Sequence, residues 1–143
     1  MPNKNKYNTA ELVAVLSSRT LENNKVVFVG AGLPLISAAL AQRTHAPNLR
    51  ILFEGGIISP EILIGGLPLS TNESRAAYKA VMLPSPTDLF SLQQRGYIDY
   101  GFLGGAQIDK FGNLNTSFIG DSENPKVRLP GSGGGNDIIT SCT

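Results

Sequence analysis

The sequence predicts an α/β fold, an open and mostly parallel sheet flanked by helices. Three observations carry that prediction. The apolar runs Val26-Val27-Phe28-Val29 and Arg50-Ile51-Leu52-Phe53 are continuous rather than alternating, which is how strands covered on both faces read. A helical stretch over 34–44 separates them, with short connections on either side. Each run ends in glycine, at Gly30-Ala31-Gly32 and at Gly55-Gly56. Strand, helix, strand in this order implies a parallel pair.

The elements follow along the chain. Asn8 and Glu11 have the spacing of a capping box, in which each side chain bonds the other residue's backbone N–H, and Leu12, Val13, Leu16 and Leu21 then recur at near-helical spacing. The chain therefore begins with a helix. A strand over 25–29 runs into the turn Gly30-Ala31-Gly32-Leu33-Pro34, and Pro34 suits a first helical turn, where its missing N–H is no loss. His45, before Ala46-Pro47, stands at the end of that helix, where an imidazole serves as a cap. A strand over 50–54 comes next. The stretch 57–71 is apolar but broken by Pro60, Gly65, Gly66 and Pro68, and reads as a loop or irregular lid. Ser85 and Pro86 open a further helix that Gly96 ends, and a strand over 98–103 follows. Lys110-Phe111-Gly112-Asn113 reads as the turn of a hairpin between 106–109 and 114–117. At the end, Asn136 or Asp137 is available to cap a short helix that begins at Asp137-Ile138-Ile139.

Composition narrows the function classes. With 143 residues, 41% of them apolar, the expectation is one domain, 1–143, around a single core. Lys and Arg number 12 against 11 Asp and Glu, without a basic run or an aromatic-interleaved patch, so neither nucleic acid nor a membrane surface is an expected partner. No apolar run is long enough to span a bilayer, and Met1-Pro2-Asn3-Lys4 leads into no signal-peptide core, so a cytoplasmic location is expected. A single cysteine, Cys142, and a single histidine, His45, leave no intramolecular disulfide, no Ser-His-Asp triad and no cysteine- or histidine-rich metal site.

Glu54 is the leading candidate for chemistry. It closes a buried strand, and open parallel sheets place their reactive groups at the carboxyl ends of strands. The alternative is a carboxylate that merely solvates a strand end. Two glycine segments stand beside it as candidate oxyanion or anion sites. The Gly30-to-Pro34 turn lacks the third glycine and the acidic residue of a dinucleotide fingerprint. Leu129-Pro130-Gly131-Ser132-Gly133-Gly134-Gly135-Asn136-Asp137 lacks the Gly-Lys-Ser/Thr ending of a phosphate loop, leaving either a nest of N–H groups or a linker. Gln107, next to Gly104-Gly105-Ala106, can orient a ligand near a strand end, whereas Asp109, Asn113 and Asn115 read as turn and strand-edge groups. Ser70, Thr71, Asn72 and Arg75 line either a channel or a solvated loop.

Four motifs taken in order resemble the beta subunit of family I CoA-transferases, of the glutaconate CoA-transferase type: Val29-Gly30-Ala31-Gly32-Leu33-Pro34, Phe53-Glu54-Gly55-Gly56, the long run from Gly101 through Gly104-Gly105-Ala106-Gln107-Ile108-Asp109 to Asn115, and Leu129 to Asp137. The resemblance implies the CoA-transferase fold and a glutamate nucleophile matching Glu54. It implies ping-pong transfer of CoA from an acyl-CoA to a carboxylic acid through a glutamyl-CoA thioester. Backbone donors near Gly32 and Leu33 and in Gly133, Gly134 and Gly135, with Gln107 as a further acyl- or CoA-binding group, are what the resemblance implies for the site. Coenzyme A enters as substrate, and no permanently bound cofactor or metal is implied. An alpha subunit is the implied partner. Subunits of the family continue past the glycine loop, so completion of the fold by further residues or by another chain, the remainder of a beta subunit, is also expected.

Two other readings stay open at this point. The same scaffold supports CoA-ester hydrolysis, or ring opening of steroid-derived CoA thioesters. A non-catalytic scaffold subunit would retain the motifs for folding alone. A decarboxylase relative carries cysteine where Glu54 stands, so the glutamate speaks for transfer.

Overall fold

A computed structural model describes residues 7–63 and 65–142; Met1-Pro2-Asn3-Lys4 lies outside them. Four strands form the central sheet in the order β3-β2-β1-β4: β1 (Val26–Phe28), β2 (Arg50–Phe53), β3 (Ile57–Ile58) and β4 (Tyr100–Gly101). β1 runs parallel to both β2 and β4, with Phe28 opposite Leu52 on one side and Gly101 on the other. The predicted mostly parallel sheet is present. β3 departs from expectation: within the stretch read as a loop, Ile57 and Ile58 pair antiparallel with Phe53 and Leu52. Two apolar residues after a glycine turn are too few for a strand pattern to register in sequence.

Alternation along the strands sorts two cores. Val27, Val29, Ile51 and Phe53 point to one face, where they pack with Leu35, Ala38 and Ala41 of α2 (Leu33–Thr44). Phe28 and Leu52 point to the other, where they meet Leu89 of α3 (Pro86–Gln94), Ile98, and Ile138 of α4 (Gly135–Ser141).

α1 (Thr9–Thr20) packs on the outside of α2. Its capping box is formed, Asn8 Oδ1 accepting from Glu11 N–H at 2.9 Å and Glu11 Oε2 accepting from Asn8 N–H at 2.8 Å. The buried positions of α1 are Ala14 and Ser18, followed by Leu21. Leu12, Val13 and Leu16, whose spacing marks the helix, are exposed, Leu16 by 52%. A helix resting on the alanine-rich α2 approaches closely through small residues, and its leucines are left outside.

His45 is the C-cap of α2 as expected, and its Nε2 lies 3.0 Å from the Leu21 carbonyl, linking the ends of α1 and α2. α3 is capped by Ser85, whose Oγ accepts from Asp88 N–H. The hairpin over β5 (Gln107–Ile108) and β6 (Leu114–Asn115) is formed, its turn held by Asp109, which accepts from the Phe111 and Asn113 amides. A second ribbon, β7 (Phe118–Gly120) with β8 (Pro125–Arg128), and a 3-10 turn at Ser74–Ala77 were not expected, since their short segments carry little apolar pattern. α4 begins after Gly134 rather than at an Asn136 or Asp137 cap.

Candidate active site at the carboxyl edge of the sheet

The strand alternation that buries Leu52 beneath α3 and α4 also fixes the side on which Glu54 emerges. Residues 52 and 54 share a face, so the carboxylate rises at the carboxyl end of β2 toward the α3–α4 layer. Glu54 is exposed and opens a tight turn in which Gly56 N–H donates to Phe53 O at 3.0 Å. Gly56 has φ +85°, and the Pro84 carbonyl occupies the space a side chain there would need. Asn72 and the Thr71 carbonyl lie against Gly55 in the same way, so the loop over 57–71 returns to the base of Glu54.

Above the turn stands the glycine loop. A Cβ on Gly134 would lie 3.2 Å from Glu54 Oε1, 2.7 Å from Phe90 Cζ and 3.0 Å from Phe90 Cε1. Glu54, Gly134 and Phe90 therefore border one small volume. The N–H groups of Gly133 and Gly134 donate to no backbone acceptor among the described residues, whereas Gly135 N–H donates to Ser132 O at 2.8 Å. The Gly135 amide thus closes the turn.

The other glycine turn lies at the same edge. Val29 N–H donates to Leu52 O at 3.0 Å, and the β1–β2 register, carried two residues past Phe28 and Leu52, sets Gly30 level with Glu54. Gly32, at φ +88°, is the N-cap of α2, with Leu33 and Pro34 in its first turn. Ala31, Gly32 and Leu33 donate their N–H groups to no backbone acceptor among the described residues.

Gln107 stands at the start of β5. It is exposed on the β5–β6 ribbon, and its Oε1 accepts from Asn115 Nδ2 at 2.8 Å, so its amide oxygen is committed to the hairpin. Asn113 and Asp109 bond each other within the turn, as the turn reading has it. Arg75 pairs with Glu73 at 3.0 Å. Sequence reasoning missed Phe90 and underweighted Asn72. The signal for Phe90 was present, because it lies one residue beyond the core position Leu89 of a capped helix.

Chemically, an exposed carboxylate beside free backbone N–H groups can attack an electrophilic carbonyl and have the resulting oxyanion received by amides. Among the described residues no group of three or more His, Cys, Asp and Glu is arranged to hold a metal ion. No described helix is long and apolar enough to cross a membrane.

Comparison with known proteins bears on this arrangement. The sequence profile of the family described as Coenzyme A transferase matches residues 10–143. The beta subunit of the 3-oxoadipate CoA-transferase of Pseudomonas knackmussii is 43% identical over 136 residues, covering 94% of this chain and 52% of that protein. The beta subunit of the glutaconate CoA-transferase of Acidaminococcus fermentans is 35% identical over 139 residues, again covering 94% and 52%. The crystal structure of the latter enzyme superposes with a TM-score of 0.86 at 34% identity, over 95% of this chain and 54% of that one. The decarboxylase AibA/AibB superposes with a TM-score of 0.83 at 29% identity, over 94% and 56%. The chain thus spans about half the length of the curated relatives it matches.

Proposed function

Because the chain belongs to the coenzyme A transferase family, we propose that it forms part of an enzyme that moves CoA between an acyl-CoA thioester and a carboxylic acid, with Glu54 as nucleophile. One observation carries this reading: the carboxylate that follows β2 is exposed and has its Oε1 beside Gly134, while the Gly30-to-Pro34 turn stands at the same edge of the sheet.

The proposed reaction begins with the Glu54 carboxylate attacking the thioester carbonyl carbon. A tetrahedral oxyanion forms, the C–S bond breaks, and CoA departs as thiolate, leaving a mixed anhydride. The thiolate attacks the glutamyl carbonyl of that anhydride, releasing the first acid as carboxylate and leaving a glutamyl-CoA thioester. A second carboxylate attacks this thioester, and the same steps in reverse deliver the new acyl-CoA and free Glu54. Charge is conserved throughout, and each intermediate needs N–H donors rather than a proton donor. Gly32 and Leu33 on one side and Gly133 and Gly134 on the other supply them in this reading, each worth on the order of 3 kcal/mol of barrier. Coenzyme A is substrate here, not a resident group.

The two beta-subunit relatives are named for 3-oxoadipate and glutaconate, so CoA thioesters of short dicarboxylic acids are the substrate class to try first. Their naming also supports assembly with a companion alpha subunit, and the half-length match supports completion by the remainder of a beta subunit.

The test is trapping. The assembled enzyme is incubated with glutaconyl-CoA and 3-oxoadipyl-CoA, treated with borohydride and mapped by mass spectrometry; modification of the peptide that carries Glu54 is expected. Glu54→Gln should retain assembly and lose activity by about a thousandfold or more. Full activity in that variant would place the chemistry on another residue.

A further inference from the structure

We propose that Phe90 is the residue that positions the attacking carboxylate. The inference rests on the assignment of Glu54 as nucleophile. Glu54 is exposed and enters none of the salt bridges among the described residues, so no charged partner within this chain fixes its orientation. Phe90 and Gly134 stand at that point: Phe90 Cζ and Cε1 and Glu54 Oε1 all lie within 3.2 Å of the position a Gly134 side chain would take.

Phe90 is held firmly enough to act as a stop. Its ring packs against Phe28 with centroids 5.9 Å apart, it belongs to the cluster of Leu52, Leu89, Ile98 and Ile138, and it sits on a helix with a formed capping box. The part of the ring that reaches the site is its edge, which carries the positive end of the aromatic quadrupole. A carboxylate tolerates such an edge as a neighbour. The edge also donates no conventional hydrogen bond, so it confines Glu54 without tying up the lone pair that must attack. A hydroxyl or amide in the same place would compete with the substrate carbonyl for that pair.

Phe90→Leu keeps the stem that packs on Phe28 and removes the Cε1 and Cζ atoms that reach Gly134. In the assembled enzyme, with the acyl-CoA that modifies wild-type Glu54, single-turnover formation of the glutamyl-CoA thioester should slow by on the order of tenfold, with KM changed less than about twofold. Phe90→Met, whose unbranched chain extends as far as the ring edge, should restore most of the rate. A wild-type rate in Phe90→Leu, or a loss found wholly in KM, overturns the proposal. Should Phe90→Leu not assemble, Phe90→Tyr decides: its hydroxyl projects from Cζ into the volume shared with Oε1 and should slow the step comparably, and an unaltered rate overturns the proposal. No thioester on wild-type Glu54 defeats the underlying assignment instead, and with it this inference.

Discussion

Asp99 ties β4 to the start of β1, its Oδ1 accepting from Lys25 Nζ at 2.8 Å and its Oδ2 from Val26 N–H at 2.9 Å. Partial burial pushes the Asp99 carboxyl upward, but the Lys25 and Val26 hydrogen bonds outweigh it and leave the group below its ordinary value. The Asp99 hydrogen bond and charge raise Lys25 in return. A carboxyl with a lower pKa folded than unfolded adds stability that is complete above the unfolded value, 3.8, and is lost as pH falls through the folded one. Asp99→Asn should therefore lower Tm by a few degrees near neutral pH, and its melting curve should converge on wild type in strong acid. The opposite limb belongs to Lys25, whose contribution disappears as pH rises past 10.5. Melts across the acid range check the first limb, and a gap that stays constant there would show that Asp99 acts by packing alone.

Gly134→Ala is the smallest change that disturbs the site directly. Its φ of −75° suits alanine, so the backbone has no reason to object. The new methyl must displace Phe90, whose Cζ would lie 2.7 Å away, and crowds Glu54 Oε1 at 3.2 Å. We expect kcat to fall by roughly ten- to a hundredfold, with a smaller effect on Tm than on rate, read by steady-state kinetics alongside thermal melting.

Gly56→Ala should show the reverse balance. Its positive φ and the Pro84 carbonyl in the space of the would-be side chain oppose alanine for two independent reasons. A loss of about 2–3 kcal/mol in urea unfolding is expected, since neither strain nor collision can be relieved without moving the turn. A wild-type midpoint would mean that the Pro84 segment yields easily.

Gln93 is the least comfortable side chain in the core. It is fully buried on α3, and neither Oε1 nor Nε2 finds a hydrogen-bond partner among the described residues. An unpaired buried amide costs on the order of 1–3 kcal/mol, so Gln93→Met, similar in volume and without the amide, should raise stability by about 1 kcal/mol. A destabilised Gln93→Met would indicate a buried water that satisfies the amide.

The parts of this fold that were legible in sequence are those set by neighbours along the chain. Asn8 with Glu11, Ser85 with Pro86, Pro34 after Gly32 and His45 before Pro47 each act within a turn, and each stands where its spacing places it. The β1 and β2 runs were legible because double-sided burial leaves no polar gaps. Glu54 at the end of β2 followed from the same pattern. What could not be read was convergence. The resemblance brought Gly134 to Glu54, but Phe90 joins them only because α3 covers the Phe28–Leu52 face, a relation between segments dozens of residues apart. The engagement of the Gln107 amide oxygen was not legible for a related reason: its partner Asn115 lies across a hairpin, and cross-strand pairing decides which amides remain free. The outward turn of Leu12 and Leu16 shows that apolar periodicity predicts a helix without saying which side the rest of the protein will cover.

β2 acts as a ruler as well as a support. Because Phe53 is buried on the α2 face and Leu52 on the α3–α4 face, the insertion or deletion of a single residue between Arg50 and Phe53 would turn the carboxylate toward α2, away from Phe90 and Gly134. It would also move it about 3.3 Å along the sheet. The loops at 65–70 and 121–124 face no such constraint. Length variation among functional descendants of this sequence should collect in those loops and spare the four residues of the strand, so the geometry of the site is inherited as a count rather than as a particular set of apolar side chains.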